Sequence, residues 1–185
     1  MNRAILPTTM VLLSLACLVG CRETAASPLP LTSAAFGEGE RIPIRFTCDG
    51  QNASPPLAWG PAPGGTRSFA VIMDDPDAGG WVHWVLFNLP AGRAGLPEGA
   101  AAGTAHPGGG VRGQGNAGLD YAGPCPPERD DPHRYSLRVY ALDRWIPLAE
   151  GATREQLLEA MDGHILVQGE LTGLYGRQLG GEEGM

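Results

Sequence analysis

Three side chains that could meet an anion stand where the chain changes character: His83, His133 and Tyr135. His83 is the one ionisable residue in the run Trp81-Val82-His83-Trp84-Val85-Leu86-Phe87-Asn88. That run follows Asp74-Asp75-Pro76-Asp77 and the turn at Gly79-Gly80. His133 and Tyr135 follow a stiff segment, Gly123-Pro124-Cys125-Pro126-Pro127, and an acidic turn, Glu128-Arg129-Asp130-Asp131. An imidazole changes charge near neutral pH, and a carboxylate beside it orients the ring and raises its pKa. Asp75 and Asp77 end one apolar run and His83 opens the next, so a carboxylate partner for His83 is expected from this turn. For a lone histidine, a core position bonded to a backbone carbonyl is the simpler account, because an unpaired buried imidazole costs on the order of 1–3 kcal/mol. The acidic neighbours across the turn are what favour a site.

The chemistry open to these groups is narrow. No G-x-S-x-G elbow is present, and no serine or cysteine is placed as a nucleophile, Cys125 being wedged between prolines. His83, His133 and Asp75 could meet at a metal only through folding, and the H-E-x-x-H spacing is absent. The glycines of Gly108-Gly109-Gly110, Gly113, Gly115 and Gly118 match neither a P-loop nor a dinucleotide fingerprint. No catalytic residue, metal or cofactor is therefore expected. Imidazole and phenol donors around a small cavity suit a phosphoryl or carboxylate group, and binding is simpler than turnover.

The elements that must position these groups are mostly strands. From Tyr135, the residues Tyr135, Leu137, Val139 and Ala141 fall on one side and Arg134, Ser136 and Arg138 on the other, the pattern of a half-buried strand. Residues 68–73 are nearly all apolar, as in a strand covered on both faces. Residues 41–47 alternate and read as a strand, with Pro43 marking an edge or a start. Trp59 is an expected core anchor. Residues 96–120 read as a long surface loop, with His106 solvated. Thr153-Arg154-Glu155-Gln156 is a capping-box pattern opening a helix that stops near Gly163. Residues 164–175 read as a last strand loosened by Gly169 and Gly173, with His164 structural at its start.

Composition supports one turn-rich domain: 185 residues with 28 Gly and 17 Pro. All 13 basic residues are arginine, and the net charge of -7 argues against a nucleic-acid partner. Met1-Asn2-Arg3 and the apolar stretch that follows fit a secretory signal. Leu18-Val19-Gly20-Cys21 resembles a bacterial lipobox, which makes Cys21 the expected lipidation site. The expected organisation is a signal peptide over 1–20, a tether over 21–35, a domain over 36–177 and a tail over 178–185. An exported, membrane-anchored lipoprotein follows, on the periplasmic or cell-surface side. Cys48 and Cys125 then remain, either paired in a disulfide or as free buried thiols.

Several spaced motifs resemble the phosphatidylethanolamine-binding protein family, also called Raf kinase inhibitor proteins. They are Asp75-Pro76-Asp77-Ala78, His83-Trp84-Val85-Leu86-Phe87-Asn88, Gly123-Pro124-Cys125-Pro126-Pro127 and His133-Arg134-Tyr135. Cys48-Asp49-Gly50 and Leu171-Thr172-Gly173-Leu174-Tyr175-Gly176-Arg177 resemble its bacterial YbhB/YbcL branch. The resemblance implies a mostly β fold, an antiparallel Greek-key β-sandwich with one or two peripheral helices. It also implies a pocket for small anions and phosphoryl head groups, lined by Asp75, His83, Pro126, Pro127, His133 and Tyr135. In that arrangement the aspartate positions the imidazole, the prolines form a rigid wall, and His133 with Tyr135 donate to the ligand. The expected function is a non-enzymatic exported lipoprotein with a rigid anion-binding pocket. The alternative is an inhibitor or partner-binding module for an exported enzyme such as a protease.

Overall fold

The computed structural model describes residues 28–100 and 109–177. The expected signal peptide, Cys21, His106 and the tail lie outside these residues. Two antiparallel sheets make the body. The smaller has the order β1-β2-β5, from β1 (Leu31–Thr32), β2 (Leu57–Trp59) and β5 (Gly95–Leu96). The larger has the order β6-β4-β3-β7-β8. Its members are β3 (Ser68–Asp75), β4 (Trp81–Pro90), β6 (Val111–Arg112), β7 (His133–Leu142) and β8 (Ile165–Tyr175). Among the described residues a single α-helix, α1 (Arg154–Met161), opens on the capping box of Thr153 and Gln156.

The large sheet is covered on both faces, which explains why its central strand carries no polar alternation. Phe69, Val71 and Met73 of β3 join Tyr135, Leu137, Val139 and Ala141 of β7 in a core shared with Leu31, Leu57, Trp59 and Leu96 of the small sheet. Ala70 and Ile72 point the other way, into a second core with Tyr140, Leu142 and the helix residues Leu157 and Met161. The mostly β fold with two antiparallel sheets and few helices is therefore as expected. The alternation of β7 is real, but its second face is buried at Ser136 and joins the second core at Tyr140.

Strand direction decides where the site forms. β4 and β7 flank β3 and both run against it, so β3 ends where they begin: Asp75 faces Trp81, and Asp74 faces Ser136. The acidic end of one strand thus lies beside both histidine-bearing starts.

Three expectations are corrected. Residues 41–47 form no strand; Arg41 makes a single bridge to Leu174, and Ile44–Phe46 is a 3-10 helix. Pro43, with φ near -60° and no N–H to give a ladder, starts this turn instead. Ile44 is 60% exposed while Ile42 and Phe46 are buried. The folded domain also starts before residue 36. Leu29 and Leu31 are core residues, and β1 pairs with β2, because apolar side chains two apart gain by lying on the small sheet. Finally, the glycine-rich segment after residue 108 is more than a surface loop. Val111–Arg112 pairs with β4, and Gly113 and Asn116 donate to Val85 and Val82. A Cβ at Gly113 would stand 2.3 Å from Val85 Cγ1, so only glycine lets the segment lie this close.

Candidate functional site

Asp75 is the post on which the site is built. Its Oδ1 accepts from the backbone N–H groups of Asp77 (2.9 Å) and Ala78 (3.0 Å), capping the short 3-10 helix Pro76–Ala78. Its Oδ2 accepts from His133 Nδ1 at 2.8 Å, and its side chain is only 3% exposed. The turn's buried carboxylate thus orients His133, whereas the sequence pointed to His83. Asp77 makes the arrangement tighter. Its carboxylate accepts from the backbone N–H of Arg134 (2.8 Å) and from the Arg134 guanidinium, strapping the start of β7 to the turn. That guanidinium holds the Asp77 carboxyl well below the usual carboxylate range.

His83 is turned elsewhere by a bulge. Met73 pairs with Trp84 and Asp74 with Val82, so His83 is the extra residue of β4. The consequence is visible in the packing, since Val82 and Trp84, two apart, fall into different cores. An extra residue re-aims its side chain. His83 Nδ1 donates to the Ala122 carbonyl at 2.6 Å, while Ala122 N–H donates back to the His83 carbonyl at 3.0 Å. Burial lowers the His83 pKa, outweighing the pull of the Ala122 carbonyl and of Asp75 and Asp74. The carboxylate-driven rise expected from the sequence is therefore reversed. At neutral pH the ring is neutral, with Nδ1 protonated and Nε2 carrying the lone pair.

Tyr135 lies between the two imidazoles. Its ring is edge-on to His83 (5.2 Å between centroids) and stacked with His133 (6.5 Å). The hydroxyl is buried and has no hydrogen-bond partner. The Asp75 carboxylate and the Cys125 backbone lie close enough to shift its pKa, though neither meets hydrogen-bond geometry. Burial first, and then the Asp75 charge, raise its pKa, so the group stays a phenol and an O–H donor.

The proline segment forms the opposite wall and is held at several points. Cys48 and Cys125 are joined in a disulfide with Cα atoms 5.4 Å apart. Cys48 N–H donates to the Pro124 carbonyl (3.1 Å), and Gly123 N–H donates to Asn52 Oδ1 (2.7 Å). The Tyr121 hydroxyl donates to the Phe46 carbonyl at 2.7 Å. A Cβ at Gly123 would sit 2.4 Å from that same carbonyl oxygen, so the segment can dock here only with glycine.

Between these walls lies a cavity of about 310 Å³, and Asp75, His83, Pro126, Pro127, His133 and Tyr135 all line it. So do Asn52, Trp81, Ala122, Gly123 and the two disulfide cysteines, and no arginine does. His164 is not among the lining residues; it pairs with Asp143 at 3.0 Å. Neither Asn52 nor Trp81, which stands 44% exposed, is marked as a cavity residue by the sequence. No local pattern marks either, because both act through contacts far along the chain. Among the described residues no cluster of His, Cys, Asp and Glu could hold a metal ion. Its lining includes one phenol, one neutral imidazole and one imidazole backed by a carboxylate.

The family model for phosphatidylethanolamine-binding protein matches residues 32–176. A protein of Methanothermobacter thermautotrophicus named UPF0098 is 49% identical over 150 residues, covering 80% of this chain and 98% of that protein. LppC of Mycobacterium tuberculosis, whose name proposes a lipoprotein, is 37% identical over 155 residues, covering 82% of this chain and 74% of that one. Among solved structures, YbcL of E. coli, described as a member of the mammalian PEBP family, superposes with a TM-score of 0.76 at 33% identity. The match covers 82% of this chain and 99% of YbcL.

Proposed function

Since the chain belongs to the phosphatidylethanolamine-binding protein family, we propose that it is a non-enzymatic binding protein whose cavity captures a small anion or phosphoryl group. The observation that carries this reading is the buried Tyr135 hydroxyl, a donor with no protein partner, set between His83 and His133 on the wall of the cavity. A buried donor left unmade is costly, and an oxyanion would satisfy it. The Asp75 carboxylate on Nδ1 fixes the orientation of the His133 ring at the cavity wall. The proline wall, fixed by a disulfide and backbone hydrogen bonds, lowers the ordering cost of capture. No side chain near the cavity is an activated nucleophile, which favours retention of the ligand over its conversion.

The same proposal places the protein on the outer side of a membrane, anchored by lipid on Cys21. The lipobox-like Leu18-Val19-Gly20-Cys21 supports that placement, as does the name of the mycobacterial relative.

Calorimetric titration of inorganic phosphate and of phosphorylethanolamine into wild type and His133→Ala tests the cavity. Wild type is expected to bind one equivalent and the variant at least tenfold more weakly. Equal heats from the two proteins would remove His133 from the site and the reading with it.

A further inference from the structure

His133 meets a carboxylate at each end of its ring. Nδ1 donates to Asp75, and Nε2 stands 3.7 Å from Asp130 Oδ2. The two carboxylates differ in kind. Asp75 is buried and bound by two backbone N–H groups, so it cannot leave. The Asp130 side chain is 51% exposed, and His133 is its only charged contact among the described residues. At 3.7 Å it is too far for a hydrogen bond, and it attracts the ring only when the imidazole is protonated.

The turn carrying Asp130 is itself under tension. Asp130 N–H closes on the Pro127 carbonyl at 3.4 Å, and Arg129 between them is held at φ 78°. That is the left-handed region, which an arginine adopts only at a cost, and such strain gathers at functional positions. Arg129, Asp130 and Asp131 line an outer groove, and His133 lines both this groove and the main cavity.

We propose that Asp130 is a resident counter-anion of His133: an exposed carboxylate on a strained turn that stands at the imidazole edge an incoming oxyanion needs, and so sets the affinity of the cavity. This rests on the anion-binding reading of the cavity and adds its specificity residue. A ligand oxygen that reaches Nε2 at hydrogen-bond distance exchanges one carboxylate contact for a shorter one, and Asp130 swings into the groove. With Asp75 fixed on the other nitrogen and no arginine lining the cavity, a dianion meets this carboxylate with the greatest repulsion.

The test is calorimetry with inorganic phosphate on wild type, Asp130→Asn and Asp131→Asn. Both variants remove one negative charge from the same turn, so the second controls for net charge. Thermal melts check that all three are folded. Asp130→Asn is expected to bind phosphate about two- to fivefold more tightly than wild type, the scale of an exposed ion pair. Asp131→Asn is expected to gain less. Phosphate binding by all three with Asp130→Asn no tighter than Asp131→Asn overturns the role of Asp130 and leaves the anion site standing. Silence of all three toward phosphate overturns both.

Discussion

Replacing Tyr135 by phenylalanine separates a binding donor from a core residue, because the two roles move stability in opposite directions. The hydroxyl is fully buried and makes no hydrogen bond, while the ring packs against His83 and His133 in the shared core. Removing the oxygen keeps the ring and relieves an unsatisfied buried group, worth roughly 1–3 kcal/mol of desolvation. The unliganded protein should therefore become more stable, by about 1 kcal/mol once relaxation is allowed, a rise in Tm of about 2–4 °C for a domain of this size. Phosphate binding should suffer, since a hydrogen bond to a charged group is worth roughly 1.5–3 kcal/mol. That corresponds to about a 10- to 150-fold weaker Kd. Differential scanning calorimetry without ligand and titration calorimetry with phosphate read the two effects. A variant that is less stable than wild type shows that the hydroxyl already has a partner. One that binds phosphate as well as wild type shows that the hydroxyl is not a ligand donor. Either result refutes the reasoning.

Two more outcomes are expected. Burial lowers the folded-state pKa of His83 below its ordinary value of about 6.5, so the unfolded chain takes up a proton first as the pH falls. Stability should decline from about pH 6.5 downward until the native ring also protonates, and His83→Gln should show a shallower decline in urea unfolding across that window; superimposable pH profiles would remove His83 as the cause. Radiolabelled palmitate should enter the full-length protein in a bacterial host and be absent from Cys21→Ala; incorporation that survives this substitution would rule out lipidation at Cys21.

Much of the architecture was legible because it is written in short-range patterns. The capping box at Thr153 and Gln156 is a matter of neighbours three apart, and the helix starts there. The all-apolar run of β3 announces burial on both faces, and two cores take alternate side chains. The alternation from Tyr135 to Ala141 names the face that reaches the sheet-to-sheet core. Residues 41–47 misled because Ile42, Ile44 and Phe46 alternate in chemistry although Ile44 stays in water. Alternation reports burial only when a partner strand covers the face, and here a proline-led turn intervenes. The first strand was missed for the opposite reason, being two residues long and stabilised by the sheet it joins and the core it packs on.

The site divides along the same line. Residue types alone determined that this chain could offer two imidazoles, a phenol and carboxylates beside stiff proline turns, and that it lacks the pattern of a nucleophile or a metal centre. Partnership was decided only in three dimensions. Asp75 and His83 are 8 apart in sequence and Asp75 and His133 are 58 apart, yet the hydrogen bond goes to His133. A one-residue bulge between Met73 and Asp74 rotates His83 toward Ala122, and a bulge is a property of how two strands register, which neither strand encodes by itself. The direction of the His83 pKa follows from the burial of the ring there, which outweighs the pull of the Ala122 carbonyl and of the Asp75 and Asp74 charges. Chemistry was in the alphabet; the pairing of the groups waited for the sheet.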